Sequence, residues 1–330
     1  MCACGVCLRF LGVLLLVSFL GCSLSSESRV ALCFFGLTRN ALRNNTYESI
    51  QRNLIARLMQ QEFLVDVFLH TYNQSVLSNP RAGELNVTLD IFEWQMLEPI
   101  RFQIDRPETA DRVYDAEYYI RYGEPWKMFS DVTLRNMLRQ LYSIEQCYRL
   151  IESYSKEKAK QYDFHIFSRP DVHYLPPGIP DIRPLVKGSA SVATRFYDRF
   201  AAGHPQAIKV WAHRMLSATN FLEDTKPGVG LHAEKLLLYH LKKNNVSLIE
   251  IQHFCFFRVR ANGATEEIRD AHDCYHVPTY TDKQYSFSLW LWLSVLLFPF
   301  VALVVLLSKP CLVCPLKTKL TPPLQRFIDS

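Results

Sequence analysis

An uninterrupted apolar run near the C-terminus divides this chain into two very different parts. Residues 288–307 read SLWLWLSVLLFPFVALVVLL and include no charged side chain. About 20 such residues form a helix long enough to cross the hydrocarbon core of a bilayer. Trp290 and Trp292 stand at one end, where aromatic rings favour the interface, and Lys309 follows the other end. The sequence therefore predicts an integral membrane helix at 287–307, with a folded domain before it.

The two termini predict the orientation of that helix. Residues 8–20 form a shorter apolar run followed by small residues, which is typical of a secretory signal peptide within residues 1–26. Because Arg9, at the start of the run, is the only charged side chain up to its end, an uncleaved signal anchor is an open alternative. The segment 308–330 has four basic side chains and one acidic one, and short basic flanks stay in the cytosol. We therefore expect a lumenal domain at 29–284 and a cytosolic tail at 308–330.

Glycosylation triplets and cysteines agree with a lumenal domain. The N-x-[ST] triplets, the acceptor pattern for N-glycosylation, all precede the apolar run. They begin at Asn44, Asn73, Asn86 and Asn245. The cysteines of the domain are Cys33, Cys147, Cys255 and Cys274. An oxidising compartment permits two disulfides in three pairings; Cys255–Cys274 is favoured because it would close a short polar loop, whereas Cys33 could equally be a buried thiol.

Strand and helix patterns alternate along 29–284. The apolar run RVALCFFG at 29–36 is typical of a strand buried on both faces, and 47–61 has apolar residues at helical spacing. Further strands are predicted at 63–70, 164–167, 189–194 and 247–251, and further helices at 131–160, 206–215 and 232–243. This alternation predicts one α/β domain with a largely parallel or mixed, Rossmann-like sheet flanked by helices.

Charge gives no indication of a nucleic-acid partner. The whole chain has a formal net charge of +5, and part of this excess lies in the predicted tail. No cluster of lysine and arginine of the kind that binds nucleic acid occurs in the sequence. We therefore expect no nucleic-acid partner.

Polar residues follow three of the predicted strands, where ligands bind in sheets of this kind. Thr38 and Arg39 follow the first strand, His70 and Thr71 the second, and Arg169 and Asp171 the strand at 164–167. A carboxylate at a strand end can hold Mg²⁺ or Mn²⁺, and a guanidinium can bind a phosphate as a fork. The alternative is an Arg169–Asp171 ion pair that only completes a turn.

Four segments of the domain, in this order, resemble a known family. They read RVALCFFGLTRN, YDFHIFSRPDVHY, DRFAAGHPQAI and LHAEKLLLYHL. Together they look like glycosyltransferase-like proteins of algae, plants, microbes and large viruses, whose nucleotide-sugar-binding α/β fold is of the GT-A type. The resemblance covers about 29–257. It implies a nucleotide-sugar donor and a glycan or protein acceptor.

The resemblance also implies how the donor is bound. Thr38 and Arg39 would lie close to the phosphate or base of the nucleotide, with Arg169 near the diphosphate. Asp171 would stand in for the metal-binding acids of the family, with Mn²⁺ or Mg²⁺ as the cofactor. The family motif is Asp-x-Asp, whereas Arg169 occupies its first position here, so the metal site would have a single carboxylate.

Two acids are implied for the transfer itself. Glu234 would act as the base that takes the proton of the acceptor hydroxyl in an inverting reaction. Asp198 precedes the segment 200–203, which would line the acceptor side. Glu234 could instead only charge the first turn of a helix, and Asp198 could form a surface ion pair with Arg199. A retaining reaction is also open.

The expected protein is thus a membrane-anchored glycosyltransferase of the Golgi or endoplasmic reticulum, or of the cell surface. The alternative is a non-catalytic, membrane-anchored domain that keeps the fold and binds a glycan or a protein. The missing first aspartate of the metal motif is compatible with that alternative.

Overall fold

A seven-stranded sheet forms the centre of the computed structural model. The structure describes residues 27–123, 131–186, 188–195, 197–225, 230–271 and residue 274. Its strands are β1 (Ser28–Phe35), β2 (Phe63–Tyr72), β3 (Val76–Asn79), β4 (Glu84–Thr88), β5 (Arg101–Asp105), β6 (Phe164–Ser168), β7 (Val172–Tyr174), β8 (Ser191–Arg195), β9 (Phe200–Gly203), β10 (Ser247–Glu250) and β11 (Phe256–Arg258). Two small sheets, β3–β4 and β7–β11, accompany the main one.

The main sheet is mixed but mostly parallel. Its strand order is β10-β8-β9-β6-β1-β2-β5. β1 pairs in parallel with β2 and β6, β2 with β5, and β8 with β10. β9 runs antiparallel to both of its neighbours, β6 and β8. The predicted α/β class with a largely parallel sheet is therefore confirmed, with β9 as the one reversed strand of the seven.

Helices cover both faces of this sheet. They are α1 at 47–60, α2 (Pro107–Val113), α3 (Ala116–Arg121), α4 (Val132–Lys158), α5 (Pro205–Ala212), α6 (Ala218–Asp224), α7 (Ala233–Lys243) and α8 (Glu267–Asp270). In α1, two α-helical turns flank a π-helical turn, Gln51–Ile55. Odd-numbered residues of β1 from Ala31 to Phe35 pack with α4, α5 and α7, whereas the even-numbered ones from Val30 to Phe34 pack with α1. β1 is thus buried on both faces, as its apolar run predicts.

The sequence predicts five of the seven strands of the main sheet. The strands predicted at 29–36, 63–70 and 164–167 are β1, β2 and β6, and the helix predicted at 131–160 is α4. The strands β5 and β9 and the two small sheets are not predicted. β5 reads RFQID, whose alternation of polar and apolar residues is the signal that could have indicated it, whereas the four residues of β9, FAAG, show no period.

Two disulfides occur in the domain, one across a long stretch of the chain and one across a short stretch. Cys255 bonds to Cys274, which is the favoured pairing, with their Cα atoms 5.9 Å apart. Cys33 of β1 bonds to Cys147 of α4, also with a Cα separation of 5.9 Å, so the alternative of a buried free thiol at Cys33 is wrong. Both of these residues are fully buried, and the bond ties the central strand to the longest described helix.

The predicted membrane segments fall outside this description. The signal segment at 1–26, the helix at 287–307 and the tail at 308–330 all lie beyond the described residues. Within the described ranges, none of the helices is both long enough and apolar enough to cross a bilayer. Membrane anchoring therefore stays a prediction.

Candidate functional site

A cavity of about 330 Å³ lies at the edge of the sheet where β1 and β6 end. Cations dominate its lining, which includes the arginines Arg39, Arg81, Arg169, Arg199, Arg258, Arg260 and Arg269. Its carboxylates are Asp198 and Glu234. The volume is within the range of small-molecule sites, at its lower end. Seven arginines against two carboxylates make the lining suitable for an anionic ligand.

Arg39 reaches the cavity from the turn that follows β1. Gly36 turns the chain at a φ of +92°, a conformation that favours glycine, and its N–H donates to Ser143 Oγ at 2.8 Å. Arg39 itself has a φ of +62°, which is uncommon for a residue with a side chain. Its guanidinium lies 2.8 Å from a carboxylate oxygen of Glu84 and 3.4 Å from one of Asp171. Two acids therefore fix Arg39 in this strained turn.

Asp171 holds the second arginine, Arg169, which directly follows β6. The Nε and Nη2 atoms of Arg169 donate to the two carboxylate oxygens of Asp171 at 2.7 and 2.5 Å. Burial opposes the charge of Asp171, but the charge and hydrogen bonds of Arg169 outweigh it and lower the pKa of the carboxyl to about 2. Burial likewise opposes the charge of Arg169, and Asp171 nevertheless raises its pKa. Both groups are therefore ionised at neutral pH.

The reversed direction of β9 brings Asp198 and Arg199 to the same edge. Because β9 is antiparallel to β6, the residues before β9 lie beside those after β6. The N–H of Arg169 accordingly donates to the carbonyl of Arg199 at 3.2 Å. Gln140 of α4 then links both sides: its Oε1 accepts from Arg169 at 3.3 Å, and its Nε2 donates to Asp198 at 3.0 Å. Arg169 and Asp198 are thus joined through one amide.

The β7–β11 sheet adds a second pair of arginines. β7 directly follows Asp171, and its antiparallel partner β11 ends beside it. Arg258, at the end of β11, binds Asp270 with two hydrogen bonds of 2.7 and 3.0 Å. Arg260 binds Glu266 at 2.7 Å. Pairing of two short strands therefore places the side chains of Arg258 and Arg260 at the cavity.

Two further segments complete the cavity. α7 begins there, with His232 just before it and the exposed Glu234 in its first turn. Burial, as the main cause, lowers the pKa of His232. The β3–β4 connection contributes Arg81, and β4 begins with Glu84, whose Oε1 accepts the N–H of Ala261 at 2.8 Å. Buried Glu84 therefore connects this hairpin to the C-terminal loops.

The cavity unites most of the residues that the sequence predicts as a site. Those in its lining are Arg39, Arg169, Asp198 and Glu234. Thr38 is 7% exposed and Asp171 is 0% exposed, and neither lines the cavity. The segment 200–203, expected on the acceptor side, is the buried strand β9, so that expectation is wrong. Only Asp198 and Arg199, which precede this strand, face the cavity.

The surroundings of Asp171 do not suit the predicted Mn²⁺ or Mg²⁺. Such ions require several oxygen ligands, among which carboxylates are foremost. Both oxygens of Asp171 instead accept hydrogen bonds from Arg169, and Arg39 lies beside them. In the part of the chain that the structure describes, no group of three or more His, Cys, Asp or Glu side chains could hold a metal ion. The positive charge at this edge is supplied by arginines.

Several lining residues escape prediction from the sequence. Arg258 and Arg260 belong to the segment FFRVR, in which alternate residues are arginine. In an extended chain such residues point to one side, and this is the signal that could have indicated them. Asn136 and Gln140 are four residues apart on α4, so these polar side chains share one helix face. Arg81 and Arg269 carry no comparable pattern.

Comparison with known proteins does not assign the chain to a family. No protein-family model matches the chain, and no curated protein matches it. The chemistry of the site is therefore inferred from its own residues, chiefly the arginines and the two carboxylates.

Proposed function

We propose that this cavity binds a nucleotide-activated sugar and that the protein transfers the sugar to a glycan or protein acceptor. The observation that carries the proposal is the convergence of seven arginines and two carboxylates on one cavity. A guanidinium group can bind two phosphate oxygens at once through two parallel N–H···O bonds, which suits the diphosphate of such a donor. The position at the carboxyl ends of parallel strands also supports a nucleotide ligand.

In the proposed reaction, the oxygen of an acceptor hydroxyl attacks the anomeric carbon of the donor sugar. The bond from that carbon to the diphosphate oxygen breaks, and its electron pair leaves with the nucleoside diphosphate. Arg39 and Arg169 stabilise the negative charge that develops on the leaving group. The carboxylate of Glu234 takes the proton of the attacking hydroxyl. Asp198, held by Gln140, accepts a hydrogen bond from the acceptor and orients it.

The Glu234→Gln variant tests this assignment. We expect its turnover to fall by about 10²-fold or more, because loss of a general base costs this much, while binding of the donor stays close to wild type. The measurement is release of nucleoside diphosphate from a panel of UDP- and GDP-sugars, with donor binding followed by thermal shift.

Glu223→Gln provides the matched control, since Glu223 is an exposed glutamate of α6 outside the cavity lining. Wild-type turnover in Glu234→Gln would remove Glu234 from the role of base. Binding of a nucleotide sugar without any transfer would favour the non-catalytic binding domain instead.

We further propose that the domain works in the lumen of the Golgi or endoplasmic reticulum, anchored in the membrane. The two disulfides support this location, because such bonds persist in oxidising compartments. Exposure of every triplet asparagine supports it as well, because a glycan on any of them can extend into solvent. These residues are Asn44, Asn73, Asn86 and Asn245.

Glycosidase treatment tests the location. In eukaryotic cells, we expect removal of N-glycans to increase the electrophoretic mobility of the full-length protein. Replacing each triplet asparagine by glutamine should remove one step of that shift. Asn244→Gln is the control, because Asn244 neighbours Asn245 but begins no triplet. An electrophoretic mobility that is the same before and after glycosidase treatment would contradict a lumenal domain.

A further inference from the structure

Five arginines that line the cavity form ion pairs with acids, most of which are buried behind them. This arginine cluster consists of Arg39, Arg169, Arg199, Arg258 and Arg260. Their side chains are 7–16% exposed and line the cavity. Three of their carboxylate partners, Glu84, Asp171 and Asp270, are only 0–2% exposed and do not line it. The cations therefore lie between these acids and the open space.

Two of the buried acids are each shared by two arginines. Asp171 binds Arg169 and lies 3.4 Å from Arg39. Asp270 binds Arg258 through both oxygens and lies 2.9 Å from Arg199. Glu84 also pairs with Arg39, and Glu266 pairs with Arg260, so four carboxylates match the five guanidiniums and the cluster keeps an excess of one positive charge.

This excess has an electrostatic cost that an anion would offset. Burial, followed by the charge of Arg258, lowers the pKa of Arg199. Burial also lowers the pKa of Arg39, and the charge of Arg169 contributes in the same direction. Closely spaced, poorly hydrated cations are destabilised unless they are compensated. Since a bidentate carboxylate occupies two of the five N–H donors of a guanidinium, an arginine held this way can still bind an anion along its other edge.

A divalent cation has no comparable place here. The buried acids already hold arginines, and a metal ion bound by the lining carboxylates Asp198 or Glu234 would meet the positive cluster. Among the described residues, no three His, Cys, Asp or Glu side chains are grouped so as to hold a metal ion. We propose that the cavity binds the diphosphate of a nucleotide directly on the arginine cluster, without a divalent cation. The identity of the ligand rests on the proposed function, whereas the absence of a metal requirement rests on the ion pairs.

Binding of inorganic pyrophosphate, UDP and GDP to the purified full-length protein tests this inference. Titration calorimetry and thermal shift are run in EDTA and again with Mn²⁺. We expect binding in EDTA, with a dissociation constant within about threefold of that in Mn²⁺. Affinity should fall as salt rises, because the contacts are ionic.

Two variants of the arginines sharpen the test. Arg260→Gln combined with Glu266→Gln removes a cavity-facing guanidinium together with its partner, and we expect binding to weaken about tenfold or more. Arg269→Gln changes a side chain that is 61% exposed, so the fold is not at risk, and about two- to fivefold weaker binding is expected. The control is Arg183→Gln with Asp181→Asn, an ion pair outside the cavity lining, which should leave binding unchanged.

The outcomes separate this inference from the proposed function. Binding that requires Mn²⁺, absence of pyrophosphate binding, or full binding by both cavity variants would each overturn it. Pyrophosphate binding in EDTA without any sugar transfer would reject the transferase and keep the inference. Sugar transfer that depends on Mn²⁺ would reject metal-free binding and keep the transferase. If the double variant fails to fold, the comparison of wild-type binding in EDTA and in Mn²⁺ decides the metal requirement, and Arg269→Gln shows whether binding occurs in this cavity.

Discussion

The Asp171→Asn variant is expected to lose about 3–5 kcal/mol of its free energy of unfolding, because removing one partner of a buried ion pair leaves the other charge uncompensated. Asp171 is fully buried and accepts two hydrogen bonds from Arg169, with Arg39 close by. An asparagine would turn an N–H donor toward a guanidinium that has only donors. Urea unfolding at neutral pH, followed by circular dichroism, measures the loss.

A second aspartate provides a matched control. Asp181 also binds an arginine two residues along the chain, Arg183, at 2.9 Å, but its side chain is 40% exposed. Exposed pairs contribute little, so Asp181→Asn should cost less than about 1 kcal/mol. Combining Arg169→Gln with Asp171→Asn should recover part of the loss, since both charges are then removed. Equal losses at positions 171 and 181 would contradict the account of Asp171.

The loss at Asp171 should also depend on pH. The folded protein holds the pKa of this carboxyl at about 2, below the ordinary value near 4. A lowered pKa stabilises the folded state fully above the unfolded pKa, and this contribution disappears as pH falls through the folded pKa. The difference in unfolding free energy between wild type and Asp171→Asn should therefore shrink between about pH 4 and pH 2. A difference that grew on acidification would show that Asp171 is not the ionised partner.

Replacing Cys33 and Cys147 together by alanine is expected to destabilise the oxidised protein by about 4–5 kcal/mol, as the loop-entropy model predicts for a loop of this length. The two cysteines are 114 positions apart, so their bond greatly restricts the unfolded chain. Both are buried between β1 and α4, and alanine fits there without introducing a polar group. Urea unfolding without reductant provides the measurement.

Removal of the Cys255–Cys274 disulfide provides the comparison for the loss of stability expected at Cys33 and Cys147. Cys255 and Cys274 are 19 positions apart, and the same model gives about 3 kcal/mol for their removal. Reduction of wild type should cost at least as much as the larger of the two effects. A greater loss from removing Cys255–Cys274 would mean that loop length does not govern stability in this protein.

Local pattern explains which parts of the fold can be predicted. β1 is recognisable because its apolar run is continuous, and β6 because three of its first four residues are apolar. α4 is recognisable because its apolar residues repeat at helical spacing. β9 reads FAAG, which shows no period. Its reversed direction depends on pairing with β8, the strand just before it in the chain, and with β6, which is farther away in sequence. The side chains of these strands give no sign of that pairing.

The residues of the site also divide into those that the sequence can place and those that depend on contacts between distant segments. Arg39 and Arg169 can be placed from the sequence because each follows a buried strand, and parallel strands end at one edge. The contribution of Arg258 depends on the pairing of two three-residue strands, which no local pattern specifies. The role of Asp171 depends on whether guanidiniums or open space surround it. A single carboxylate after a strand is compatible with both a metal site and an ion pair, so only the three-dimensional contacts distinguish them.

Gln140 has a consequence for how two sides of the cavity are held together. One end of its amide accepts from Arg169, on the cationic side of the cavity, and the other donates to Asp198. Its Nε2 also donates to the backbone carbonyl of Asp198 at 3.0 Å, so two bonds hold the amide to Asp198 and one holds it to Arg169. A single neutral side chain thereby fixes the spacing between the guanidinium of Arg169 and the carboxylate of Asp198.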